Sequence, residues 1–332
     1  MVDRAAIHAD SADIYINTRC NFGCETCFLG DDYFARDLAM GSDEVAAIGG
    51  WLVDAGVRDV AILGGEPTLH PEFLDVMTAL RQVGVGNLRL ITNGTPRARR
   101  LLDGPLDGLV DLTYVSLDGA SAEVNDALRG KGTFRHAMLA IELLRDRGMP
   151  FVITSTLGAA AVNELDALLE LAEASDCQVL NLHWLSAVGR ARYRDLAVHP
   201  SQWREVVLRI ADYTPRRRGL TIECQVGALS PGAPWSSEID PRACAVRERS
   251  NLQFMPDGRV FSCGLLVDTP TLAAYHWDGT QLLERAGRTE LRVCTDFCAD
   301  GCPARQALLG EPATDEHLPV CIYERVVRVR ES

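Results

Sequence analysis

Apolar and polar positions alternate along Ala12-Asp13-Ile14-Tyr15-Ile16-Asn17, a pattern that predicts a strand with one buried face. The period then lengthens. Over 41–56, Val45, Ile48, Leu52 and Val53 recur at helical spacing behind Ser42, a candidate N-cap. The same exchange repeats down the chain. Strands are predicted at 57–63, 88–91, 112–117, 151–157 and 178–185, with helices at 71–83, after Pro96, and at 122–128, 134–147 and 163–174. Six strands alternating with helices imply an α/β fold with a parallel sheet and right-handed crossovers. Six units are too few to close an eight-stranded barrel. A helix at 201–213 precedes Pro215-Arg216-Arg217-Arg218-Gly219, read as a solvated linker. Beyond it the alternation stops, and short hairpin signals appear, as at 255–260. The expected division is therefore 1–214 and a small Cys-rich unit over 215–332.

Composition narrows the partners. The chain has 332 residues, 47% of them apolar, enough to bury a sizeable core, and a net charge of −13. That charge argues against nucleic acid or an anionic membrane as the main partner. No apolar run approaches the ~20 residues needed to span a bilayer, and the N-terminus does not read as a signal peptide, so a cytoplasmic protein is expected. Eleven cysteines in such a chain read as reduced metal ligands rather than disulfides.

Three of those cysteines, Cys20, Cys24 and Cys27, follow the first strand at C-x3-C-x2-C spacing. Thiolates suit zinc and iron–sulfur clusters. With no fourth Cys or His in the loop, they cannot close a tetrahedral zinc site locally. They can hold three irons of a [4Fe–4S] cluster and leave the fourth open to a ligand. Gly64-Gly65-Glu66-Pro67, Thr92-Asn93-Gly94 and Ser116-Leu117-Asp118-Gly119 each follow a strand-like run, where α/β sheets place their ligands.

In that order, these motifs resemble the radical SAM superfamily. The resemblance implies a partial (β/α)6 TIM-like barrel open on one side. It also implies an open iron that chelates S-adenosylmethionine (SAM), and cleavage of SAM to a 5′-deoxyadenosyl radical that abstracts a hydrogen atom. The matching positions imply SAM contacts at Gly64, Gly65, Glu66 and Pro67, with the glycines letting backbone approach the ligand and Glu66 accepting from its ammonium or bracing the turn. Asn93 and Ser116 would meet ribose or carboxylate, Asp118 a ribose hydroxyl, and Arg129 the methionine carboxylate. One position departs: Thr26 stands where the family usually has an aromatic residue, which leaves adenine stacking to Phe28. An external electron donor such as flavodoxin or ferredoxin is implied as well.

Cys244, Cys263, Cys294, Cys298, Cys302 and Cys321 crowd the last third of the chain and resemble a SPASM/Twitch auxiliary-cluster domain with one ligand fewer than the full SPASM pattern. Two partitions stay open. Two clusters could be held by Cys244/Cys263/Cys302 and Cys294/Cys298/Cys321, with Asp296, Asp300, solvent or substrate completing them; alternatively, one Twitch-like cluster uses four of the six. Cys177 and Cys224 are left over as small buried residues or hydrogen donors to a substrate radical. The expected activity is oxidoreductase or epimerase chemistry on a small polar natural-product substrate of sugar or aminocyclitol type. That choice rests on the first strand beginning near residue 12, which leaves no room for a separate peptide-recognition domain. The alternatives are a SPASM-type peptide or protein maturase and a non-enzymatic cluster scaffold or redox sensor.

Overall fold

The structure is a computed structural model and describes residues 9–186, 188–196, 198–227, 251–285 and 320–329. In chain order its elements are β1 (Ser11–Tyr15), α1 (Asp31–Phe34), α2 (Ser42–Asp54), β2 (Asp59–Leu63), α3 (Phe73–Gln82), β3 (Asn87–Thr92), α4 (Pro96–Leu102), β4 (Leu112–Ser116), α5 (Ala122–Arg129), α6 (Thr133–Asp146) and β5 (Phe151–Leu157). They continue with α7 (Ala159–Val162), α8 (Leu165–Ser175), β6 (Val179–Trp184), α9 (Pro200–Ala211), β7 (Thr221–Gly227), β8 (Asn251–Phe254), β9 (Arg259–Phe261), β10 (Tyr275–Trp277), β11 (Leu282–Glu284) and β12 (Val320–Val329).

The six expected strands form and pair in parallel in sequence order, Asp13 level with Ala61 and Ala61 with Arg89. The sheet also runs further than the periodicity predicts. β7 pairs parallel to β6, and β8 pairs parallel to β1 on the opposite side, so parallel pairing extends past the linker at 215–219. β7 escaped the sequence reading because Glu223 and Gln225 interrupt its apolar residues and it follows directly on the turn-forming stretch at 215–219. β8 to β11 are antiparallel neighbours, and the expected hairpin joins β8 to β9 through Gly258 at φ 79°.

Side-chain alternation sorts the strands' two faces. Ala12 and Ile14, Leu88 and Leu90, and Leu180 and Leu182 point into the main core beneath the helices. Their neighbours Asp13, Tyr15, Arg89, Asn181 and His183 line a cavity on the other face. Helix α2 packs on α3 through Gly49, where a Cβ would lie 2.7 Å from Leu80 Cδ2. Ser42 is not the cap of α2. It is the first helical residue, and its amide donates instead to the Glu72 carboxylate at 3.0 Å, supplying the acceptor that a cap would have offered. A second apolar cluster, with Tyr15, Leu29, Tyr33, Met255, Phe261, Cys263 and Leu266, fastens the end of the cysteine loop to the 255–273 segment.

Candidate functional site

Cys20, Cys24 and Cys27 line one cavity of about 400 Å³ together with Gly64, Gly65, Glu66, Asn93, Ser116 and Arg129. Residues predicted from four separate strand ends therefore converge. The cysteine loop owes its position to backbone contacts. Gly65 N–H donates to the Asn17 carbonyl at 2.9 Å, Glu66 N–H to the Arg19 carbonyl at 2.7 Å, and Glu25 N–H to the Leu128 carbonyl at 2.7 Å. The two glycines are required by this packing. A Cβ on Gly65 would fall 2.1 Å from the Arg19 oxygen, and one on Gly64 would fall 2.6 Å from the Asn17 oxygen.

Glu66 is 1% exposed and serves the turn. Its Oε1 accepts from Thr68 Oγ1 (2.5 Å), Thr68 N–H (3.2 Å) and Thr92 Oγ1 (2.8 Å), and its Oε2 accepts from Asn93 N–H (2.8 Å). Burial pushes the carboxyl up, and these donors pull it part of the way back. Of the two roles expected for Glu66, bracing is the one the hydrogen bonds carry. Pro67 starts the short 3₁₀ turn behind it and lies outside the cavity wall. Asn93 Nδ2 donates to Asn21 Oδ1 at 2.9 Å, tying β3 to the cysteine loop.

Asp118, also 1% exposed, holds the other side of the loop. Its Oδ2 accepts from Thr26 Oγ1 at 3.0 Å and from Arg129 Nη1 at 2.9 Å, and its Oδ1 accepts from Thr156 N–H at 2.9 Å. Thr26 thus has a specific partner at the position where an aromatic residue was expected. Arg129 lines the cavity beside the thiols, paired through Asp118, which itself stands behind the wall. Ser116 faces the cavity from the end of β4. Phe28, 38% exposed, stands in the wall edge-on to Tyr15, ring centroids 6.3 Å apart.

Burial pushes the Cys20 thiol up to about 11 and the Cys27 thiol up to about 12, so iron must displace protons to bind. Among the described residues no three His, Cys, Asp or Glu side chains converge as they would on a single ion. Three thiols spread around a cavity of this size, with cationic Arg129 beside them, fit an iron–sulfur cluster with an open iron and a ligand bound to it.

Cys177 and Cys224 do not fit the role of hydrogen donor. Both are wholly buried in the core behind the sheet and neither lines the cavity. Cys177 precedes β6, at the end of the strand away from the thiols, and Cys224 points away from the cavity because its neighbour Gln225 points in. Of the auxiliary cysteines, Cys263 is 3% exposed and adjoins Gly264 and Leu265, which reach the cavity. Cys244, Cys294, Cys298 and Cys302 lie outside the described residues, and Cys321 falls on β12, whose side chains also lie outside them.

Sequence reading missed two features. One is the polar lining below the thiols, Asp13, Arg89, Asn181, His183, Gln225 and Gln253; polar residues at alternate positions of apolar strands were the signal for it. The other is Gly189-Arg190, which packs on the cysteine loop and carries no local signature.

Residues 14–172 match the family described as Radical SAM superfamily. They form a radical SAM domain. A PqqA peptide cyclase from Ruegeria pomeroyi is 28% identical over 91% of this chain and 84% of its own. A GTP 3′,8-cyclase from Pectobacterium atrosepticum is 32% identical over 43% of this chain and 45% of its own, so the chain spans about half the length of such relatives. The solved structure of native anSMEcpe with bound AdoMet and Kp18Cys peptide has the same fold, with TM-score 0.64 and 17% identity over 94% of this chain and 93% of that one. A [4Fe–4S] cluster and SAM are the cofactors of this family, and the cavity lined by Cys20, Cys24 and Cys27 is the candidate place for them.

Proposed function

We propose that the chain is a radical SAM enzyme that modifies a peptide. Bound in the cavity, the cluster and SAM supply a radical that takes a hydrogen atom from the substrate. The protein's part is placement. Glu66 and Asp118 hold the cysteine loop from two sides, Arg129 offers N–H groups for the methionine carboxylate, and Asn93 and Ser116 border the ribose. Asp13, Asn181, His183, Gln225 and Gln253 form the polar wall against which the substrate lies.

The peptide reading replaces the small sugar-type substrate as the first choice. The observation that carries it is the match to the Ruegeria cyclase over 91% of this chain and 84% of its own, a protein whose name specifies a peptide. Support for epimerisation weakens as well, since both candidate thiols lie off the cavity. An oxidative outcome such as a crosslink follows, with the electron leaving through auxiliary clusters on Cys244, Cys263, Cys294, Cys298, Cys302 and Cys321 in a SPASM/Twitch unit over 215–332, and with flavodoxin or ferredoxin as the donor to the first cluster. The polar cavity wall keeps a small polar substrate as the second reading. Among the described residues no helix is long and apolar enough to cross a membrane.

The test is anaerobic reconstitution and reduction with dithionite. Wild type should convert SAM to 5′-deoxyadenosine and methionine, and C20A/C24A/C27A should not. Short peptides encoded beside the gene should lose two hydrogens in the presence of SAM. Turnover with small sugars and none with any such peptide would return the choice to the second reading. Absence of SAM cleavage would leave only a cluster scaffold.

A further inference from the structure

Behind the cysteine loop the chain returns after β6 and presses Gly189 and Arg190 onto it. Gly189 has φ 57°, and a Cβ there would lie 2.3 Å from the carbonyl oxygen of Phe28. This contact brings Arg190 N–H to the Cys27 carbonyl at 3.0 Å. The guanidinium is fixed from two sides. Its Nε pairs with Asp31 Oδ1 at 2.6 Å, and its Cζ lies 4.4 Å above the Phe34 ring. The remaining Nη1 is buried and has no hydrogen-bond partner among the described residues, while the side chain lines the same cavity as the three thiols. A buried N–H group of a cation left unpaired is costly, and the cavity that Arg190 lines together with the three thiols is where a partner for it would lie.

We propose that Arg190 is the electrostatic partner of the cluster at its Cys27 corner, with Nη1–H offsetting the negative charge that the cluster gains when it takes one electron from a low-potential donor. Asp31 and Phe34 position the guanidinium, and the close approach at Gly189 sets its distance. The residue thereby raises the reduction potential of the SAM-binding cluster. This role differs from that of Arg129, whose Nη1 is already paired with Asp118.

The experiment uses the full chain, anaerobically reconstituted. The EPR signal that shifts on adding SAM identifies the cluster on Cys20, Cys24 and Cys27. Its midpoint potential is then followed with dithionite and redox mediators. R190Q should make reduction about tenfold less favourable, equivalent to 59 mV for a one-electron couple. R190K should recover part of that loss, and SAM affinity should stay within about twofold. An unchanged potential in R190Q overturns the proposal, and an unchanged potential with weaker SAM binding assigns Arg190 to the SAM carboxylate instead. R190M carries the same expectation as R190Q, and failure of both to load the cluster would make the residue structural and overturn the proposal. D31N keeps the guanidinium charge and should leave iron content at the wild-type level; a fall matching R190Q would also indicate a structural role. The inference rests on the cluster reading above. A wild-type protein without a SAM-responsive signal would sink both, whereas an unchanged potential sinks this one alone.

Discussion

Two carboxylates of equal burial stand on opposite sides of the cysteine loop, and the chain satisfies them by different means. Glu66 is met by neutral donors alone: two threonine hydroxyls and two backbone amides. Asp118 is met by one hydroxyl, one amide and the guanidinium of Arg129. The Glu66 side ties the end of β2 to β3, across 26 and 27 residues of chain. The Asp118 side ties the cysteine loop to β5 across about forty to ninety residues of chain, and Arg129 at the end of α5 joins it from 11 residues away. A site held by neutral hydrogen bonds tolerates loss of charge. A site held by an ion pair does not, because removing one charge leaves the other buried and uncompensated.

The largest expected effect follows directly. D118N keeps the shape of the side chain but strands the Arg129 cation, which is mostly buried. It should lower stability by about 3–5 kcal/mol, read from anaerobic denaturant unfolding, and should reduce iron bound by Cys20, Cys24 and Cys27. A cost below that of E66Q would show that Arg129 is well solvated and would remove the contrast.

E66Q comes next. Its side-chain NH2, itself a donor, would face an N–H or O–H donor where a carboxylate oxygen accepted, so at least one pairing is lost, at a cost of about 1–3 kcal/mol. The same variant sharpens the comparison through pH. Burial raises the folded pKa of Glu66 above its ordinary value of 4.5. The stability this group contributes is therefore fully present below 4.5 and is lost as pH rises through the folded value. The wild-type minus E66Q stability difference should shrink across that interval; a difference that grows with pH would mean the carboxylate is anionic and favoured there.

The smallest effect belongs to T26V. It removes a single neutral donor from Asp118 and should cost about 1 kcal/mol. Cluster loading should persist, since Arg129 and Thr156 still hold the carboxylate. Loss of the cluster in T26V would show that this one hydroxyl, rather than the ion pair, anchors the loop.

Much of this was legible in the residues themselves. The six-strand alternation is a local property, since a period of two or of 3.6 is written in neighbouring side chains, and it placed each motif at a strand end. The three-cysteine spacing and the Gly-Gly-Glu-Pro turn were equally local. Other features were not. The pairing of β7 with β6 and of β8 with β1 depends on contacts between separate segments, which the pattern within either strand does not announce. Glu66 and Asp118 carried the right residue types, but which partner each would meet, a ligand or the chain itself, depended on where Thr26, Thr92, Arg129 and Thr156 came to rest.

The sequence by itself therefore determined the βα order, the thiol donors and the chemistry they can support, because these follow from residue type and spacing along the chain. Only the tertiary structure decided that Cys177 and Cys224 face away from the cavity, that Thr26 answers to Asp118, and that Arg190 stands beside Cys27. The direction a side chain takes across a sheet, and its meeting with a residue about ninety or more positions away, are set by packing and not by its neighbours in sequence.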